Sequence, residues 1–255
     1  AFGIAPCPAD ILEYANKLGV ARPLVHGVAT HYDASGYIAL RQHSQVALLD
    51  VAAIGPDYIP GHAHADTLSF EWSLFGLRVL VNSGTSEYGV SEERLRQRGT
   101  AAHNTVLVNG ENSSEVWSSF RVARRARPFD VQLELTPTSA TVTASHTGYQ
   151  RLRPKVTHQR QWQVIAGALV VTDNLNGSFE TAVAYFHFHP SIVLSAESVG
   201  FVFTLPDGQC GVVEVEGGSV AVEESSWHPE FGLSQTSQRL AIHLQGNELR
   251  TRFRY

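Results

Sequence analysis

A short run of histidine and carboxylate side chains in the first third of the chain has the composition of a metal or proton-transfer site. Residues 61–66 (GHAHAD) place two imidazoles and a carboxylate at alternate positions. On an extended segment residues i and i+2 share a face, so His62, His64 and Asp66 would point the same way. Zn²⁺ binds neutral imidazole nitrogens together with a carboxylate or amide oxygen. The alternative is a solvated polar loop in which Asp66 caps a turn, and the motif alone leaves both open.

More polar groups follow at the ends of predicted strands. The apolar run after the motif, residues 67–75 (TLSFEWSLF), predicts a core strand and places the motif at the rim of a sheet. Sites usually lie at the rims of rigid scaffolds. Asn82 closes the next predicted strand and His103 opens another, so these side chains can converge on the motif.

The surrounding pattern predicts a mainly β protein. Residues 5–18 have the apolar spacing of one amphipathic helix, with Pro8 in its first turn. From residue 37 onward about fifteen short runs alternate apolar and polar side chains, separated by turn signals such as Asn109-Gly110. The charged segment 86–98 predicts a loop or a short helix. We therefore expect a large antiparallel, supersandwich-like β-sandwich after a short N-terminal helix.

Composition excludes some functions. With 255 residues and 43% hydrophobic side chains, the chain can build a large core. A net charge of −5 argues against general nucleic-acid binding, although arginines cluster at residues 94–98, 121–127 and 151–153. These clusters fit either a groove for an anionic sugar or solvated strand faces. Cys7 and Cys210 make no disulfide framework, and no apolar run is long enough for a membrane span.

Residues 61–127 resemble the heparinase II/III-like family. The family pattern is roughly G-H-x-H-x-D, an L-V-D-P-G-T-like turn, R-x-T-x-x-H-N-T-V and a Ser-Glu pair. The matching stretches here are residues 61–66, 81–85 (VNSGT), 98–106 (RGTAAHNTV) and 114–115. The resemblance implies the C-terminal antiparallel β-sandwich domain, here residues 23–255, with residues 1–22 as the tail of a missing N-terminal α/α toroid. The absence of any Met also leads us to expect an excised or processed piece.

The resemblance also implies a metal site and its ligands. His64, Asn82 and His103 fall at the family's metal-ligand positions, and the metal there is divalent, often zinc. Asn82 stands where the family commonly has Asp. An amide oxygen is neutral and a weaker ligand, so we expect a weaker site.

The implied chemistry is β-elimination of a uronic-acid polysaccharide, which needs a base, an acid and neutralisation of the substrate carboxylate. Tyr88 and His62 are the candidate catalytic residues in this chain. Arg98 could meet a substrate carboxylate through a bidentate fork, with Glu115 beside it. The alternatives are that Tyr88 is an ordinary loop aromatic, and that Arg98 pairs with Glu115 or a nearby glutamate to hold the loop.

Two other functions compete with the lyase hypothesis. One is a non-catalytic carbohydrate-binding or assembly module in exopolysaccharide metabolism. The other is a glycoside hydrolase with Asp66 and Glu71 as its carboxylate pair, which ranks last. The lyase hypothesis predicts an anionic uronic-acid polysaccharide and the toroid as partners, and inactivity without the toroid. The family resemblance alone implies a bacterial origin and a periplasmic or secreted location.

Overall fold

The computed structural model describes residues 6–21, 27–197 and 200–255. Two α-helices lie in these ranges, α1 (Pro8–Lys17) and α2 (Glu92–Arg98). The N-terminal helix is thus confirmed, although the start of the predicted range lies outside the described residues. Of the two alternatives for the charged segment, the short helix is confirmed. Neither helix is long and apolar enough to cross a membrane.

Nineteen β-strands occupy nearly half of the described chain. The first eight are β1 (Ala29–Tyr32), β2 (Tyr37–Gln42), β3 (Gln45–Asp50), β4 (Phe70–Leu74), β5 (Leu77–Leu80), β6 (Val106–Val108), β7 (Val116–Trp117) and β8 (Arg121–Val122). The next five are β9 (Pro128–Leu135), β10 (Ser139–His146), β11 (Thr157–Ile165), β12 (Ala168–Asn176) and β13 (Ala182–His187). The last six are β14 (Val193–Glu197), β15 (Gly200–Thr204), β16 (Cys210–Glu216), β17 (Gly218–Trp227), β18 (Gln235–Leu244) and β19 (Glu248–Arg254).

The strands form antiparallel sheets in two layers. One layer joins a five-stranded sheet, β1-β2-β3-β4-β5, to a four-stranded sheet, β17-β18-β13-β6. The junction is a bridge between Leu80 and Phe188. The other layer is an eight-stranded sheet, β14-β15-β16-β19-β12-β11-β10-β9, and β7 with β8 forms a small hairpin. The predicted antiparallel sandwich is confirmed.

Aromatic side chains fill the space between the layers. Phe253 of the eight-stranded sheet packs against Trp72 of the five-stranded sheet, with 5.6 Å between ring centroids. The same Phe253 packs against Phe186 of the four-stranded sheet at 5.3 Å. All three side chains are fully buried. Because one residue contacts both smaller sheets, these sheets share a single core with the eight-stranded sheet.

Some local predictions need correction. The strand expected to open at His103 begins at Val106, because a 3-10 turn at Thr100–Ala102 precedes it. The motif at residues 61–66 lies in irregular turns and bends rather than in an extended segment. Cys7 and Cys210 are both exposed and free, so they do not pair.

Candidate active site

Three loops are held together beside the five-stranded sheet: residues 61–69 before β4, residues 81–85 after β5, and residues 99–105 before β6. Asn104 connects them, because its side-chain Nδ2 donates to the carbonyls of Phe70 at 2.8 Å and Val81 at 3.1 Å. The hydroxyl of Thr105 donates to the carbonyl of Thr67 at 3.2 Å. Buried side-chain bonds thus fix the loops that carry the sequence motifs.

His64, Asp66 and His103 converge where these loops meet. Each offers one ligand atom, and these atoms lie within 4.8 Å of one another. The two imidazole rings are 5.2 Å apart between centroids. The Nε2 atom of His64 lies 3.4 Å from Thr85 Oγ1 and 3.3 Å from Arg94 Nη1. His103 is fully buried, and neither of its ring nitrogens has a hydrogen-bond partner of acceptable geometry among the described residues.

Burial sets the protonation of this cluster. It lowers the pKa of His64 well below the usual range, and His103 adds to the effect. Burial also lowers the pKa of His103 to about 3, which the nearby Gln97 carbonyl opposes only in part. The pKa of Asp66 is raised by burial first and then by the carboxylate of Asp50. Both histidines are therefore neutral near pH 7, the form that binds metals, while Asp66 resists ionisation unless a cation is close.

The donors fit a divalent cation in their chemistry. Two neutral imidazoles and a carboxylate form a common zinc ligand set, and the unpartnered nitrogens of buried His103 would gain a partner. Asn82 shares the surrounding cavity, where its side-chain oxygen accepts the Gly84 N–H at 3.0 Å. The predicted set of His64, Asn82 and His103 stays a prediction, and Asp66 is a carboxylate that could serve beside or instead of Asn82.

His64, Asp66 and Asn82 face a cavity of about 270 Å³, which we name the histidine cavity. Its lining includes His62, His64, Asp66, Asn82, Tyr88 and Arg94. From the sequence we expected His62, His64 and Asp66 to share one face if the segment were extended. They share the cavity through a series of turns instead, so the juxtaposition arises from tertiary contacts.

The two predicted catalytic residues lie together at the rim of the histidine cavity. The rings of His62 and Tyr88 are 5.2 Å apart between centroids, and both side chains are exposed. Phe120 completes the rim, 6.1 Å from the His62 ring and 5.6 Å from the Tyr88 ring. The Arg94 guanidinium lies 5.2 Å from the centre of the Tyr88 ring. An exposed imidazole and phenol thus stand next to a permanent positive charge.

Arg98 lies away from this cavity. It is fully buried, and its guanidinium donates to the carbonyls of Ala63 at 3.0 Å, Ser118 at 3.0 Å and Arg121 at 3.2 Å. These bonds join the loop of residues 61–69 to the hairpin of β7 and β8. The contacts favour the alternative in which Arg98 holds the loops, and a role in substrate binding stays a prediction.

Glu115 is also engaged elsewhere. Its carboxylate forms an ion pair with Arg124, with 2.7 Å between Oε2 and Nε of the arginine. This bond lowers the pKa of Glu115 to about 2. The structural alternative weighed for Glu115 fits these contacts, although its partner is Arg124 rather than Arg98. Its predicted role in substrate binding remains a prediction.

Sequence reasoning did not single out Arg94, the arginine that lines the histidine cavity. Arg94 is almost fully buried, and its Nη2 atom has no hydrogen-bond partner among the described residues. Ser91 begins α2 by accepting the Arg94 backbone N–H at 3.0 Å, so Arg94 occupies the first turn. A Ser cap followed by Arg at the third position was visible in the sequence, but nothing there showed that this side chain would turn inward.

Comparisons with known proteins agree with this architecture. The family model for the heparinase II/III-like C-terminal domain matches residues 27–255. The structure of heparan sulfate lyase HepC from Pedobacter heparinus aligns with a TM-score of 0.74 at 16% identity, covering 95% of this chain and 38% of that one. A crystal structure of heparinase III aligns with a TM-score of 0.75 at 15% identity, covering 96% and 41%. The chain therefore spans about two fifths of these structures, and at such identities the likeness shows the fold. No curated protein matches the chain in sequence.

Proposed function

Because the chain belongs to the heparinase II/III-like C-terminal family, we propose that it is the β-sandwich domain of a uronic-acid polysaccharide lyase. The observation that carries the proposal is the pairing of exposed His62 and Tyr88 at the rim of the histidine cavity. An imidazole and a phenol are groups that can move protons to and from a substrate. One of the structures named above is described as a heparan sulfate lyase and the other as heparinase III, which supports a lyase reaction here.

The proposed reaction is β-elimination. A base removes the proton at C5 of a uronate, the electrons form the C4–C5 double bond, and the C4–O bond breaks. The leaving oxygen takes a proton from an acid, so the atoms balance. His62 and Tyr88 are positioned to share these proton transfers at one edge of the cavity. We assign the roles of base and acid to this pair, and experiment must decide which residue has which role.

Charge around the cavity supports an anionic substrate. Removal of the C5 proton requires the uronate carboxylate to be neutralised, because the developing negative charge spreads onto it. Arg94 supplies a permanent positive charge beside the cavity. A divalent metal, when bound by His64 and His103 with Asp66 or Asn82, would supply further positive charge, and we propose zinc on the nature of these ligands. In this proposal Arg94 supplies positive charge beside the substrate carboxylate, a role that was predicted for Arg98 and that remains a prediction for Arg98.

We further propose that activity requires an N-terminal α/α toroid of the parent protein. The chain covers only 38% of the heparan sulfate lyase structure and 41% of the heparinase III structure, so most of each relative lies outside it. The active site is open on the side of His62 and Tyr88, where a second domain could supply the remaining groups. A periplasmic or secreted bacterial location remains part of the same proposal.

The test is ultraviolet absorbance, since elimination creates a conjugated double bond. The parent protein should produce it from at least one polymer in a panel of uronans. His62→Ala and Tyr88→Phe should each lower the rate about 10²- to 10⁴-fold, the usual loss for a proton-transfer group. Phe75→Ala, an exposed aromatic packed on Tyr255 in another part of the sheet, is the matched control. Binding of uronans without absorbance would instead favour the non-catalytic carbohydrate-binding module.

A further inference from the structure

The contact between Arg94 and His64 determines which nitrogen of the imidazole carries the proton. The Nη1 atom of Arg94 lies 3.3 Å from Nε2 of His64. A guanidinium keeps its protons and can only donate, so Nε2 accepts this bond and carries no hydrogen. Because burial keeps His64 neutral near pH 7, its one ring proton is on Nδ1. The lone pair of His64 therefore points at a cationic side chain.

A metal ion cannot bind His64 while this contact is present. A divalent cation needs a ring nitrogen without a proton, and that nitrogen, Nε2, already accepts from Arg94. If the cation bound Nδ1 instead, the proton would move to Nε2, and two N–H groups would face each other at 3.3 Å. Binding at either nitrogen therefore breaks the contact between Arg94 and His64.

The charge of Arg94 opposes a nearby metal as well. Both cations would lie next to the same imidazole ring, and two positive charges repel strongly where water is excluded. Arg94 is only 1% exposed, so solvent screens its charge poorly. Burial also lowers the pKa of Arg94, which shows that its charge is already disfavoured there. A second cation beside it would add to that cost.

The bonds that hold Arg94 in place are long. Its Nε donates to the carbonyl of Ser119 at 3.3 Å, and its Nη1 donates to the hydroxyl of Thr85 at 3.4 Å. Its Nη2 has no hydrogen-bond partner among the described residues. The guanidinium also lies 5.2 Å from the ring centre of Tyr88 and 6.0 Å from that of Phe120, where aromatic faces attract a cation. Arg94 can therefore leave the histidine ring and remain in the cavity wall.

We propose that Arg94 competes with a divalent metal for His64, so that the metal binds only when the guanidinium leaves the ring. Arg94 then sets how tightly the histidine cavity holds its metal. The displaced guanidinium stays beside the cavity, so metal binding also turns it toward the substrate carboxylate. This inference rests on the metal site of the proposed function and adds a residue that regulates its occupancy.

The first test is calorimetric titration of the chelator-treated protein with zinc. Arg94→Met keeps a long apolar side chain but removes the charge and the donors, and it should bind zinc at least about tenfold more tightly than wild type. The control is Arg96→Met, which removes an equal charge from the same helix. Arg96 is paired with Glu93 at 2.6 Å, so its loss should change zinc affinity less than about twofold. Thermal unfolding checks that each variant is folded.

The second test is nuclear magnetic resonance of the protein with ¹⁵N-labelled histidine, which shows where each ring proton lies. The signal of His64 is assigned by its loss in His64→Ala. Zinc-free wild type should carry the His64 proton on Nδ1, and in Arg94→Met the population with the proton on Nε2 should rise. A purely structural role of Arg94 would not move this proton, and the wild-type spectrum needs no variant to fold.

Three results would overturn the competition: equal zinc affinity of wild type and Arg94→Met, equal gains in both arginine variants, or a His64 proton on Nε2 in zinc-free wild type. If wild type and both arginine variants all fail to bind zinc, the competition fails and the metal also leaves the proposed function. Zinc affinities in the predicted order, in a protein that gives no ultraviolet product, would support the competition and count against the lyase. The two failures are therefore distinguishable.

Discussion

Arg160 and Asp173 form a fully buried, two-pronged ion pair between neighbouring strands β11 and β12. The distances are 2.6 Å between Nε and Oδ1 and 3.0 Å between Nη2 and Oδ2. The remaining nitrogen, Nη1, donates to the carbonyl of Leu68 at 3.0 Å and to that of Asn104. Leu68 follows Asp66 by two positions, and Asn104 follows His103 directly. The pair therefore connects the eight-stranded sheet to the two loops that carry the candidate ligands.

Removing one partner of this pair should destabilise the fold far more than removing both. Asp173→Leu leaves an uncompensated buried guanidinium, which costs about 3–5 kcal/mol of unfolding free energy. The double variant Arg160→Met/Asp173→Leu should recover most of that loss, because packed apolar groups replace the charges. Urea denaturation measures both effects. Equal destabilisation of the single and double variants would show that the carbonyl bonds of Arg160, and not its charge, dominate.

The double variant should still loosen the site. Without Arg160, the carbonyls of Leu68 and Asn104 lose their buried donor. Amide hydrogen exchange of residues 64–68 and 103–105 should therefore speed up relative to β18. Val171→Ala, which opens a cavity at a buried position on β12 of the same sheet and removes no hydrogen bond, is the control. Uniform acceleration in both variants would contradict a positioning role.

Acid should destabilise the fold through its buried histidines. Burial lowers the pKa of His187 to about 3, against about 6.5 in an unfolded chain. The unfolded state then binds more protons below pH 6.5, so stability present above that pH falls as pH decreases toward 3. Each such histidine contributes a slope of about 1.4 kcal/mol per pH unit in this window.

The check is unfolding free energy between pH 7 and 4 for wild type and His187→Gln. A glutamine can keep bonds to Ser225 and Ala101, the present partners of the ring, without gaining a charge. The variant should show a shallower slope by up to about 1.4 kcal/mol per pH unit. Parallel curves would mean that His187 has the same pKa in the folded and unfolded states, so that burial does not lower it.

Periodicity was enough to predict the sandwich, because alternation of apolar side chains directly reflects a sheet with one buried face. β11 shows this plainly: His158, Arg160, Trp162 and Val164 are buried while Gln159 and Gln161 are exposed. Alternate spacing misled at residues 61–66, where turns and bends replace the extended segment that we considered. Short strands such as β7 could not be predicted either, since two residues are too few to show an alternation of apolar and polar side chains.

The histidines of the site could be predicted from the sequence, but its arginine could not. His62, His64 and His103 were found because their residue types and motif spacing are specific. Arg94 and Arg98 lie four positions apart on α2, and the sequence does not tell which one faces the cavity. Both are buried, and their contacts distinguish them: Arg98 donates to three backbone carbonyls, whereas Arg94 lies between His64 and the aromatic rim. Such partners come from loops distant in sequence.

Metal affinity should depend on His64 and His103 and should rise with a carboxylate at position 82. We expect divalent metal in the purified protein by elemental mass spectrometry, and its loss in His64→Ala and His103→Ala. Asn82→Asp should bind at least about tenfold more tightly, because a charged oxygen replaces a neutral one. His243→Ala, an exposed histidine on β18, is the control. Metal-free wild type, with no gain in Asn82→Asp, would make these histidines substrate contacts or structural groups.

Gly84 should tolerate no side chain. Its φ of +81° lies in the left-handed region, and a Cβ there would stand 2.2 Å from the carbonyl oxygen of His228. Gly84→Ala must therefore displace the loop that carries Phe231, at a cost of roughly 3 kcal/mol from strain and overpacking. The unfolding midpoint should fall by about 6–12 °C for a chain of this size. Gly89→Ala is the matched control, since a Cβ there meets nothing within 4 Å. Equal midpoints for the two variants would mean that the contact between Gly84 and His228 is loose enough to admit a methyl group.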